Sequence, residues 1–117
     1  MLRYAGGGHP PAVICATRCK NHTLLASGPP VGCFANAKYL TAEMPIAFPT
    51  DIYLFSDGVF ETRRHLDDEP LDRLVDFLVA PHNGQARTVA EIRNRTLEHL
   101  KGTPPPDDCS ILRVSLS

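Results

Sequence analysis

The chain has 117 residues, the size of one domain or part of one. Hydrophobic residues make up 43% and charged residues 21%, an ordinary globular balance that excludes wholesale disorder. Lys plus Arg is 12 and Asp plus Glu is 13, so the net charge of -1 lacks the basic surplus of a generic nucleic-acid binder.

Leu2 to Ala5 reads as a short strand end. Gly6-Gly7-Gly8-His9-Pro10-Pro11 then forces irregular backbone, because glycines admit positive φ and prolines remove donors. Ala12 to Ala16 is a compact apolar strand, Thr17 to Asn21 a polar turn, and Thr23 to Ala26 a return strand that makes a hairpin. Ser27-Gly28-Pro29-Pro30-Val31-Gly32 is a second breaker. Lys38 to Ile46 alternates, with Tyr39, Thr41 and Glu43 on one side and Leu40, Ala42, Met44 and Ile46 on the other, which predicts a half-buried strand. Pro49-Thr50 is a turn. Asp51 to Phe55 is a continuous apolar run after its first residue, as in a central strand covered on both faces. It ends in the polar corner Ser56-Asp57-Gly58.

Two helices follow. Pro70 suits a first turn, with Asp67, Asp68 and Glu69 at the positive end of the dipole. Leu71, Leu74, Val75 and Leu78 form one apolar stripe, and Pro81 ends the helix. The second opens on a capping box, Thr88 with Glu91, and Val89, Ile92, Leu97 and Leu100 supply its inner face. Gly102 is its C-terminal cap, Pro104-Pro105-Pro106 prevents continuation, and Ser110 to Leu116 is the closing strand. Strands, two helices and a strand, with most strands joined by hairpins, predict an antiparallel α+β fold. The chain opens inside a strand with no lead-in, so an N-terminal portion of the domain is expected elsewhere. No apolar run is long enough to span a bilayer, and Met1-Leu2-Arg3-Tyr4 has no apolar signal-peptide core. The expected compartment is therefore the cytoplasm, with the cysteines as thiols.

The four cysteines give no metal signature, because no close Cys or His pair is matched by a second. The acids are more informative. Asp57 follows a buried run and Asp107-Asp108 precede the last strand, so both would reach one edge of a sheet. Two carboxylates about 5 Å apart repel by about 3 kcal/mol at an effective dielectric near 20. A divalent cation removes that cost, and hard oxygen donors suit magnesium or manganese rather than zinc. Each motif also has a plain reading. Asp-Gly is a common turn dipeptide, and Asp107-Asp108 after three prolines suits a solvated loop. His9 suits a loop residue, and His22, His65, His82 and His99 are scattered. Arg63-Arg64 suits a solvated pair. The triple glycine is no P-loop, since no Gly-Lys-Ser/Thr follows.

The motifs together resemble a family. Tyr4-Ala5-Gly6-Gly7-Gly8-His9-Pro10-Pro11 is similar to the tyrosine, alanine-glycine-histidine-proline-proline segment of bacterial PPM-type (protein phosphatase 2C-like) metal-dependent Ser/Thr phosphatases of the SpoIIE and RsbU group. Gly28-Pro29-Pro30-Val31-Gly32 resembles their glycine-x-proline-leucine-glycine loop. Pro49 to Phe55 with Ser56-Asp57-Gly58-Val59-Phe60-Glu61 resembles their strand and (Ser/Thr)-Asp-Gly-Val-x-Glu motif. Asp107-Asp108-Cys109-Ser110-Ile111-Leu112 resembles the closing Asp-Asp-(Ile)-Thr-x-Leu motif. These landmarks stand in the family order across nearly the whole chain.

The resemblance implies an antiparallel β-sandwich flanked by α-helices, with a binuclear Mn²⁺ or Mg²⁺ centre at one end. It implies that Asp57 and Asp107 are metal ligands and that Gly58, Asp108 and His9 support the site. Water activated by the metals would attack phosphoserine or phosphothreonine, with no protein nucleophile. The implied substrate is a phosphorylated STAS-domain anti-sigma-factor antagonist, and the implied role is sigma-factor regulation in bacterial signal transduction. Thr50 stands where the family has glycine before Asp51, and Gly7 where alanine is common. The family's earlier motif, an aspartate with a downstream Asp-(Val)-x-Gly-His-Gly, is absent. Residues 1–117 therefore correspond to the C-terminal half of the domain. The expected partners are the other half of the domain or an upstream sensor, and the chain alone is expected to have little activity. The alternatives are a non-catalytic phosphatase-like binding module in partner switching and an unrelated α+β domain with chance motifs.

Overall fold

The run from Thr50 to Phe55 organises the fold. From Ile52 on its side chains are apolar in both directions, so it must lie between two layers. The computed structural model describes residues 1–16, 21–25, 27–61, 70–80 and 85–117. In it the elements are β1 (Leu2–Tyr4), β2 (Ala12–Ala16), β3 (His22–Leu24), β4 (Ala42–Met44), β5 (Thr50–Phe55), a 3-10 turn (Asp57–Val59), α1 (Pro70–Val79), α2 (Val89–Leu100) and β6 (Ile111–Leu116). One sheet has the order β3-β2-β5-β6 and the other is β1-β4, and every pairing is antiparallel.

The pleat of β5 sorts two cores. Tyr53 and Phe55 face the helices and join Val13, Val59, Leu74, Leu78 and Ile92. Ile52 faces the other way and joins Ile14 and Leu24, with Leu2, Tyr4 and Met44 of the small sheet packed against them. The layers are helices, four-stranded sheet and two-stranded sheet. This is the expected antiparallel sandwich flanked by helices. Fully burying an aliphatic or aromatic side chain contributes about 1.5–3 kcal/mol, so the helix-side cluster dominates stability. Phe55 meets the edge of Phe60 at 5.9 Å between centroids, and Tyr53 Oη donates to the Arg87 carbonyl at 2.7 Å.

Several expectations are corrected. Among the described residues only β2-β3 is a hairpin; β1 pairs β4, β2 pairs β5, and β5 pairs β6 across both helices. Burial of both faces of β5, rather than closeness along the chain, selects its neighbours. The strand expected over Lys38–Ile46 is only Ala42–Met44. Its partner β1 is three residues long, so among the described residues no strand pairs with Lys38 to Leu40, and Leu40 is 75% exposed. The return strand of the hairpin starts at His22, and Thr50 belongs to β5 rather than to a turn. The inner face of α2 is Ile92, Thr96 and Leu100. Val89 and Leu97 are 40% and 44% exposed, because Thr96 turns inward to a backbone carbonyl in their place.

The α1 stripe is as expected, with Leu74 and Leu78 buried and Leu71 and Val75 half-buried. The Thr88–Glu91 capping box forms. At the other end Lys101 adopts φ 47° and Gly102 φ 80°, so the left-handed stop spans both residues. The turn at Thr17–Lys20, Cys19, Ala26, Arg63-Arg64, His65, the acids Asp67–Glu69, Pro81 and His82 lie outside the described residues. Among the described residues, no helix is long and apolar enough to cross a membrane.

Candidate metal centre

Phe55 in the helix-side core fixes where the chain leaves the sheet. Ser56 continues extended, and Asp57–Val59 closes one 3-10 turn. Within it the Val59 amide donates to the Ser56 carbonyl at 3.1 Å, and the Phe60 and Glu61 amides donate to the Asp57 carbonyl at 3.0 and 2.8 Å. Val59 is 1% exposed and anchors the turn in the core. Thr96 of α2 approaches from outside, its Oγ1 3.2 Å from the Val59 carbonyl and 3.1 Å from that of Ile92.

Opposite this turn runs the segment that enters β6. Because β5 and β6 are paired, with Phe55 opposite Ile111, the end of one lies beside the start of the other. The Ser56 amide donates to the Ser110 carbonyl at 3.0 Å. Ser56 Oγ donates to the Asp108 carbonyl at 2.8 Å and accepts from the Ser110 amide at 2.8 Å. Cys109 Sγ donates to the Gly58 carbonyl at 3.0 Å. A Cβ at Gly58 would lie 3.0 Å from the Asp107 carbonyl oxygen and closer still to that of Asp108. Glycine is what lets the two backbones meet.

Asp57 and Asp107 are held alike. Asp57 Oδ1 accepts from the Gly58 amide at 3.0 Å, and Asp107 Oδ1 from the Asp108 amide at 2.7 Å. Among the described residues no donor reaches the other oxygen of either carboxylate. Asp57 is half-buried; Asp107 and Asp108 are exposed. Partial burial, and then the negative charges of Asp107, Asp108 and Asp57, push the Cys109 thiol up. Three acids therefore act on one sulfur, which marks the corner as a concentration of negative charge. His9 is elsewhere. Its Nδ1 lies 2.7 Å from the Pro10 carbonyl oxygen, and it lines a cavity of about 330 Å³ between the sheets with Leu2, Tyr4, Ile52 and Leu54. No described contact joins it to the acidic corner.

The donors fit a hard divalent cation in kind, being carboxylates beside backbone carbonyls. They fall short in number, since among the described residues no group of three or more His, Cys, Asp or Glu is arranged to hold a metal ion. The sequence reading did not single out Ser56, Cys109 or Thr96 as site residues. Ser56 stands in the Ser-Asp-Gly motif, but its partners lie more than fifty positions away and carry no local signal.

The sequence model of the Stage II sporulation protein E (SpoIIE) family matches residues 1–117, and the chain belongs to that family. Two solved structures share the fold. One is of the RsbU and RsbW domains of Rv1364c from Mycobacterium tuberculosis, 21% identical over 95% of this chain and 31% of that one, with a TM-score of 0.64. The other is of the PP2C phosphatase domain and a fragment of the regulatory domain of the cell-fate determinant SpoIIE from Bacillus subtilis. It is 16% identical over 95% of this chain and 33% of that one, with a TM-score of 0.67. The chain spans about a third of each of those chains. The comparison with curated protein sequences finds no match.

Proposed function

We propose that this chain supplies the C-terminal, acid-bearing part of a metal-dependent protein serine/threonine phosphatase domain that works in the cytoplasm. The observation that carries the reading is the meeting of the Asp57 turn with the Asp107–Asp108 loop, through Ser56 and the bare backbone of Gly58. Membership of the SpoIIE family and likeness in fold to a PP2C phosphatase domain support it. Asp57 and Asp107 would hold Mn²⁺ or Mg²⁺, and further ligands would come from a segment outside this chain. When bound, the cations supply an activated water for attack on the phosphorus of phosphoserine or phosphothreonine. The chain's own task is to present two carboxylates at a fixed spacing, with Asp108 beside them. A phosphorylated STAS-domain protein in sigma-factor partner switching is the proposed substrate, and the RsbU and RsbW domains of the mycobacterial neighbour support that setting.

The shortage of donors favours a second reading, a phosphatase-like binding module without catalysis. Mn²⁺ titration by calorimetry separates the two. In the phosphatase reading the chain binds Mn²⁺ weakly, Asp57→Asn or Asp107→Asn abolishes binding, and p-nitrophenyl phosphate turnover by the chain alone is near background. Binding of a STAS-domain protein without metal, unchanged in both variants, supports the module. Robust turnover by the chain alone contradicts the division of the site between two segments.

A further inference from the structure

The core uses one face of α2 and leaves a second one bare. Ile92, Thr96 and Leu100 are buried, while Val89, Arg93 and Leu97 form a stripe beside them at steps of four residues. Val89 is 40% and Leu97 44% exposed, and Arg93 is exposed as well. The stripe is one wall of a groove of about 320 Å³ that Leu100, Cys109 and Ile111 also line. Ile111 opens β6, and β6 has no second neighbour among the described residues, so the groove lies open along the edge of the sheet. Arg93 is the one charged group in this lining. Among the described residues the other arginines are engaged: Arg3 with Glu43, Arg87 with Glu91, Arg113 with Asp51, Arg95 with the Arg73 carbonyl, and Arg73 itself. No described group engages Arg93. Apolar walls that thin the water around a cation strengthen its pull on an anion.

The spacing of the stripe selects the shape of what fits. Four residues of helix advance about 6 Å, so Leu97, Arg93 and Val89 stand at nearly equal steps of that length. Two residues of extended chain advance about 6.7 Å and return a side chain to the same face. We propose that the groove between α2 and β6 docks an extended segment of another protein with the pattern apolar-x-acidic-x-apolar. Its two apolar side chains seat on Leu97 and Val89, and the carboxylate between them pairs with Arg93. Asp107 and Asp108 flank the Cys109 end of the groove, so an acid placed there is repelled and the register that brings it to Arg93 is the attractive one. A second copy of this chain fits less well. Its own alternations of aliphatic or aromatic residues around an acid are Phe55-Asp57-Val59 and Leu74-Asp76-Leu78, whose apolar members are all buried in its core. The docking needs no metal.

The test titrates the whole chain, without metal, with the peptide acetyl-Ser-Leu-Thr-Glu-Thr-Val-Ser-amide and follows backbone amide shifts by NMR. At millimolar peptide, shifts are expected along Val89–Leu100 and at Cys109 to Ile111. Glutamine in place of the peptide's glutamate weakens binding about two- to fivefold, the reach of a partly exposed ion pair, and lysine weakens it further. Arg93→Gln makes the three peptides bind alike, and Arg93→Glu turns the preference to the lysine peptide. Leu97→Gln removes binding of all three. Both positions are exposed and both new residues are good helix formers, so these variants fold. Leu112→Lys, on the other face of β6, leaves binding as in the parent. Absence of shifts at millimolar peptide, or binding indifferent to the charge of the peptide and of residue 93, overturns the proposal. Shifts of the same amides that grow with chain concentration, vanish in Leu97→Gln and ignore the peptide give the groove to a second copy and overturn it too. None of these readouts depends on Asp57 or Asp107, so the metal reading stands or falls separately.

Discussion

Gly58 shows how much one missing methyl group decides. The two acidic segments approach so closely there that a Cβ would press on the Asp107 and Asp108 carbonyl oxygens. Gly58→Ala is expected to part the turn from the loop and cost about 1–3 kcal/mol, the range for overpacking, read from urea denaturation. Cys15 shows a different constraint. Burial, reinforced by the nearby charge of Asp51, pushes its thiol from 9.0 to about 11, and mainly burial takes the Tyr53 phenol to about 12. The folded chain therefore keeps protons that the unfolded chain releases above pH 9. Stability from these groups is complete below pH 9 and falls as the pH rises through 11. The urea midpoint is expected to decline over that interval, and Cys15→Ala to flatten its lower part.

At the scale of elements, α2 braces the site from behind. Its capping box fixes where the helix starts, and from that start Thr96 falls opposite the turn that carries Asp57. A threonine at an inner position is unusual for an apolar helix face, and here its hydroxyl meets the Val59 carbonyl. Thr96→Val keeps the shape and strands that acceptor, so a loss of about 1–3 kcal/mol in thermal or chemical unfolding is expected. A valine variant as stable as the parent would show that water serves Val59 equally well. On the same, helix-facing side of the sheet, Arg113 Nε donates to Asp51 Oδ1 at 2.7 Å. That pair joins β5 to β6 and keeps the ladder leading to the acidic corner in line.

The whole molecule is more open than its mass requires. Its accessible surface is 7996 Å², against about 6,300 Å² for a compact monomer of 12.8 kDa. The radius of gyration is 15.2 Å, against about 13 Å for a compact chain of this length. The surplus is about twice the roughly 800 Å² that one partner buries in a standard protein interface. Part of it is on β6, an edge strand whose small-sheet face leaves Leu112 57% and Val114 37% exposed. An uncovered apolar edge strand promotes association. Sedimentation is expected to show self-association that rises with concentration, and Leu112→Lys with Val114→Lys to reduce it. A parent chain that stays monomeric across the micromolar range would refute this.

The sequence determined the local elements: the apolar run of β5, the stripe of α1, the capping box of α2 and the glycine-proline breaks. Each is written in residues a few positions apart, where side-chain period and backbone preference act directly. It also set the order of the motifs that place the chain in its family. It misjudged the Lys38–Ile46 strand and the hairpin connections, because pairing depends on which partner strand is available and not on alternation alone. Only the tertiary structure brought Ser56 to Asp108 and Ser110, turned Thr96 inward and left β6 uncovered. Those contacts join residues tens of positions apart, and hydrogen bonding and burial between them are decided by how the layers pack.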